Sequence, residues 1–279
     1  MTRSSRVVHG DDLLYRFFQG ALASHPELFA AVPQLLIAST ALWLPREAYE
    51  QWPVLLPWVV RDPTCRGSPS KGLPDQWSAP DARGFLRDDN SMIKSLPRAL
   101  TVRGPKDGHM NGGHMGREFV AAHVWRVVSS SELASRIPLL NTFVPNLVWL
   151  PSQVAKLTDV EGGIVQQTLQ ALAWQIYRDA PVAPHHRDIV EEAWALLPHP
   201  VVRVQPFEVG NLNWFEATPA FYKTRSARLA SVLEALDDVE SRSPLPMRVI
   251  TRRYASGLPT VSSTARRELQ QFLLRFQPV

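Results

Sequence analysis

Leu13, Leu14, Phe17, Phe18 and Leu22 recur at the spacing that puts side chains on one face of an α-helix. Asp11 and Asp12 stand before them, where acids favour a helix start, and Pro26 closes the run. A second apolar run over roughly 27–41 predicts a helix packed beside the first, and 46–52 a short third. Residues 28–45 are uncharged and mostly apolar, near the length of a short membrane span. Pro33, Gln34, Ser39 and Thr40 interrupt that stretch, and prolines recur at Pro53 and Pro57, so a buried helix pair is expected instead. Residues 63–83 carry four prolines and predict a linker or long surface loop.

The texture changes at Gly84. Residues 100–103 suit a short strand, followed by a glycine-rich loop over 104–116. Residues 118–128, containing FVAAHVWRVV, suit a buried strand, and 141–150 (NTFVPNLVWL) a second. Pro151 is acceptable in the first turn of a following helix, SQVAKLTD. Val165, Leu169, Leu172 and Ile176 then repeat as i, i+4, i+7 and i+11, an amphipathic helix. Prolines return over 180–206 around His185 and His186. Two more helices are expected at 226–236 and 265–276, separated by the basic segment MRVITRRYASG. The organisation predicted is a helical N-terminal region (1–62), a Pro-rich linker (63–83), a central core (84–180) and a basic C-terminal region (181–279). The fold class is α+β, mostly helical.

Composition narrows the function classes. The 279 residues are 45% hydrophobic and 20% charged, enough for a substantial core. Twenty-four prolines argue for short elements joined by stiff loops rather than a long-helix bundle. The net charge of +4 permits nucleic-acid binding without demanding it. The excess sits late: from Phe221 onward there are ten Lys/Arg against five Asp/Glu. The single cysteine, Cys65, excludes an intrachain disulfide framework or Cys-rich zinc knuckle and fits a reducing, cytoplasmic setting. No secretory leader pattern, Walker-type loop, dinucleotide fingerprint, serine elbow or His-Glu-x-x-His motif is present.

The pairing of AAHVW (121–125) with NLVWLPSQVAKLTD (146–159) carries the candidate chemistry. Over about forty residues it resembles the HNH, or ββα-metal, nuclease family. His123 takes the position of the first histidine, Asn146 the central asparagine, Lys156 an arginine, Leu157 a leucine and Asp159 the closing aspartate. The resemblance implies a central ββα-metal unit embedded in a mostly helical protein. It also implies a divalent ion, magnesium or manganese, that neutralises charge on a phosphodiester. His123 would be the general base, because a neutral imidazole titrates near working pH. In this family the asparagine usually ties the loop between the strands.

Two positions depart from the family pattern. Ala155 stands where a metal-ligating histidine is common, and Ala122 where many relatives carry an acid or second histidine. Substitute ligands are Glu118, His114 and Asn141, with His109 nearby and Asp159 one helical turn beyond Ala155. Basic residues that suit a nucleic-acid surface are Lys94, Arg98, Arg103, Arg126, Lys156, Lys223, Arg225, Arg252 and Arg253, with Trp214, Tyr222 and Tyr254 among them. Asp88, Asp89 and Lys94 have the wrong spacing for the other large nuclease class. The expectation is a site-specific or modification-dependent DNA endonuclease on double-stranded DNA, a homodimer without membrane attachment. Two alternatives stay open: a binding protein on a decayed scaffold, and a metal-independent enzyme pairing His123 with a group such as Arg126.

Overall fold

The computed structural model describes residues 26–56, 93, 96–202, 208–241 and 258–277. Helix α1 (Pro26–Thr40) leads into strand β1 (Leu42–Trp43) and helix α2 (Arg46–Gln51). Strand β2 (Val102–Arg103), strand β3 (Phe119–His123), the short helix α3 (Pro138–Asn141) and strand β4 (Leu147–Pro151) follow. Helix α4 (Ser152–Lys156) ends in a 3-10 turn over Leu157–Asp159, and α5 spans Ile164–Tyr177. Helix α6 (Arg187–Leu196), strand β5 (Asn213–Phe215), and helices α7 (Pro219–Glu240) and α8 (Ser263–Leu274) complete the described chain. The expected first helix and the Pro-rich linker lie outside the described residues, as do Asp88, Asp89 and Cys65.

The fold is α+β. One five-stranded sheet has the order β2-β5-β1-β4-β3, with β1 and β5 parallel and the other neighbours antiparallel. Its strands come from the N-terminal, central and C-terminal regions alike, and one hydrophobic core runs through all three. The sheet is strongly curled. On the open side of β2, Gly113 accepts from Val102 and His114 bridges Thr101. A flat sheet would hold His114 five strand spacings from β3, roughly 24 Å. The chain from His114 to Phe119 takes only five Cα steps, at most roughly 18 Å.

Aromatic side chains fill the middle of the core. Tyr49 meets Tyr177 and Phe143, Trp149 stands edge-on to Phe215, and Trp194 stands edge-on to Trp125 and Phe143. Trp43, Trp52 and Trp149 are buried, and Trp214 is buried too, so it offers little to an extended nucleic acid. Among the described residues no helix is long and apolar enough to cross a membrane. Helix α1 contains Pro33 and its 15 residues reach about 22 Å, short of the roughly 30 Å of a bilayer core.

Both expected central strands are shorter than the apolar runs suggest, each for its own reason. The first stops at His123 because the next two amides turn to Asn146: Val124 donates to its backbone oxygen and Trp125 to its side-chain oxygen. The second begins only at Leu147, since Pro138 opens a helical turn and Pro145 cannot donate to a ladder. Helix α7 starts earlier than expected because Thr218 caps it and Pro219 suits its first turn. Helix α6 was not expected among the prolines of 180–206. Its buried Ile189, Val190, Ala193 and Trp194 do carry a helical spacing.

Candidate functional site

Strands β3 and β4 form an antiparallel pair in the register His123↔Leu147, Ala122↔Val148, Ala121↔Trp149, Val120↔Leu150 and Phe119↔Pro151. Helix α4 leaves from Pro151, at the Phe119 end, and packs back against both strands. Five α-helical residues and three of 3-10 helix rise about 13 Å. Five strand residues span about 13 Å. The return therefore carries Asp159 to the His123 end of the hairpin. A contact marks this arrival: the Arg126 guanidinium, three residues beyond His123, donates to the Asp159 carbonyl.

His123 is partly buried on the edge strand. Its Nε2 lies 2.9 Å from the backbone oxygen of Asn141. A carbonyl can only accept, so Nε2 carries the proton of the neutral ring and Nδ1 keeps a lone pair. Burial lowers the pKa of the ring from its ordinary value, against a smaller upward pull from its hydrogen bonds to Asn141. At neutral pH the imidazole is an unprotonated base in a fixed tautomer.

Asn146 is fully buried and uses both ends of its side chain. Its Oδ1 accepts from the Trp125 amide at 2.7 Å and its Nδ2 donates to the Leu140 carbonyl at 3.1 Å. It thus ties the turn after β3 to helix α3. Because Asn141 closes that helix and supplies the acceptor for His123, Asn146 positions the histidine through α3 without reaching solvent.

The four residues expected to hold a metal do not converge. Glu118 stands just before the opposite end of β3, five residues and about 16 Å from His123. Its left-handed backbone (φ 65°) and a hydrogen bond from Ser152 to its carbonyl mark it as the corner where strand and helix meet. His114 lies beyond β2, where Nδ1 is 3.1 Å from the Leu100 oxygen. Asn141 and Asp159 remain at the His123 end. Among the described residues no group of three or more His, Cys, Asp or Glu is placed to hold a metal ion. No step is assigned to a metal.

The expected nucleic-acid contacts separate into groups. Arg126 and Lys156 are exposed, on the segments that flank His123 and lead to Asp159. Arg98 and Lys223 are also exposed, but at the other end of the strand order, where α7 packs against the 3-10 turn before β2. Arg225 is a correction. It is fully buried, and its guanidinium donates to the carbonyls of Leu55, Val54 and Phe276 and sits 3.7 Å from the centre of the Trp52 ring. Desolvation pulls its pKa down to about 9. A side chain so engaged anchors the C-terminal helices to the core and cannot touch DNA. Lys94, Arg252 and Arg253 lie outside the described residues.

The sequence did not single out Arg46 and Glu47, which line a cavity with Arg103 and Trp214. No local motif signals them, since the four come from three distant segments. No protein-family model, curated protein or solved structure matches this chain.

Proposed function

We propose that this chain is a DNA endonuclease, site-specific or modification-dependent, in which His123 takes the proton from the water that attacks a phosphodiester. The observation that carries this reading is the arrangement at one end of the β3–β4 pair. A neutral histidine is fixed by the Asn141 carbonyl with Nδ1 unprotonated, Arg126 follows it on the same segment, and the returning helix carries Lys156 and Asp159 to that end of the hairpin. A general base so placed accelerates hydrolysis by about 10²–10⁴-fold. Arg126 and Lys156 supply positive charge that can draw in a phosphate backbone. Cutting both strands of a duplex with one site per chain calls for two copies related by a twofold axis.

The test is cleavage of plasmid and genomic DNA, methylated and unmethylated, by the wild type and His123→Ala, with magnesium, manganese or EDTA. Discrete fragments that the variant fails to produce are the expected result. Fragments formed equally by both proteins would remove His123 from the mechanism. Cleavage that persists in EDTA would separate the histidine from any metal requirement and favour partnership with Arg126. Ala122 and Ala155, in place of metal-ligating positions, favour a second reading: a binding scaffold without activity. DNA bound but uncut under every condition is its signature.

A further inference from the structure

At the β2 edge of the sheet a cavity of about 330 Å³ is lined by Arg46, Glu47, Arg103, Val209, Gly210 and Trp214 among others. Its charged side chains are the unusual feature. Arg103 pairs directly with Trp214 across β2 and β5, so the two side chains rise as neighbours on one face of the sheet. Val102 points into the core and Arg103 outward, as strand alternation requires. Arg46 is held by a single bond from Nε to the Ile176 carbonyl at 2.8 Å, which leaves both terminal amino groups of its fork unused. The salt bridges among the described residues join Arg178 to Glu191, Arg266 to Glu240 and Arg275 to Glu192. Arg46, Glu47 and Arg103 thus border one cavity with no ion pair among them.

Two guanidinium groups beside an open hollow match the fork geometry that binds phosphate oxygens. The largely buried Trp214 indole forms an apolar floor that a planar ring can lie against, with its Nε1 already committed to the Val209 carbonyl at 3.1 Å. A single carboxylate, Glu47, can accept from sugar hydroxyls. Gly210 has nothing within 4 Å of where a Cβ would stand, so the ligand can approach the backbone there. The volume suits one small molecule rather than a strand of nucleic acid.

We propose that this cavity binds a nucleoside monophosphate, with the phosphate between Arg46 and Arg103 and the base beside Trp214. The site is distinct from the His123 hairpin and stands whether or not that histidine is catalytic. Equilibrium dialysis of the full chain with AMP, GMP, CMP and UMP tests it, with adenosine and inorganic phosphate as partial ligands. At least one nucleotide is expected to bind, adenosine and phosphate each at least tenfold more weakly. Arg103→Ala should lose at least tenfold in affinity with an unchanged melting temperature, because its side chain is exposed at a sheet edge. Arg46→Gln should lose affinity too, while His123→Ala should keep it. No binding of any nucleotide, inorganic phosphate bound as tightly as the best nucleotide, or full affinity in both arginine variants would overturn the assignment.

Discussion

Two histidines show how position decides the meaning of a residue type. His123 and His186 both have lowered pKa values, and burial is the first cause in each. His123 ends an edge strand beside exposed basic side chains, whereas His186 is wedged among Trp52, His185 and Phe276, with Nε2 3.1 Å from the Gln51 carbonyl. The pKa of His186 falls from 6.5 to about 4, with the neighbouring His185 ring as the second cause. Folding therefore favours neutral His186, and the unfolded chain binds the proton more readily. Its stabilising share is complete above pH 6.5 and declines as pH falls toward about 4, by up to about 1.4 kcal/mol per pH unit. Urea unfolding at pH 7, 5.5 and 4.5 should show a smaller loss in His186→Gln than in the wild type. Equal losses would assign the acid sensitivity elsewhere. The sequence showed both histidines but not their surroundings, because Gln51 and Asn141 are brought to them by the chain's long-range folding.

At the scale of elements, the β3–β4 pair and its helix were legible because apolar runs, a turn and a proline follow each other at short range. Their ends were not. One side chain, Asn146, ends the first strand by capturing the Trp125 amide, and nothing in the run FVAAHVWRVV signals that competition. Asn146→Ala leaves that amide buried without a partner and removes one of several donors to the Leu140 carbonyl, a loss of about 1–3 kcal/mol. Chemical denaturation measures it directly, and a loss below 1 kcal/mol would show that the turn closes without the asparagine. Strands β1 and β5 were missed because two or three residues carry no periodicity. The identity of Arg225 as a core residue was equally hidden, since helix α7 shows basic and apolar residues on several faces and only packing against Trp52 selects one.

For the molecule as a whole, strands from distant regions close one curled sheet, so the central hairpin is braced by both ends of the described chain. The exposed cations then belong to two separate surfaces, Arg126 and Lys156 near His123 and Arg98 and Lys223 at the other end of the strand order. If DNA lies over the His123 surface, Lys156→Ala and Arg126→Ala should each lower the slope of log affinity against log salt by about 0.9. Lys223→Ala should leave it unchanged, and filter binding from 50 to 300 mM salt distinguishes the two surfaces. An equal effect of all three would spread the contact over both surfaces. The most direct test of the account is the pH dependence of DNA cleavage under single-turnover conditions. A base with a pKa lowered by burial gives an acid limb whose midpoint lies below pH 6.5, with a flat rate through neutrality. A rate that keeps rising above pH 7, or a profile unchanged in His123→Ala, would contradict His123 as the base.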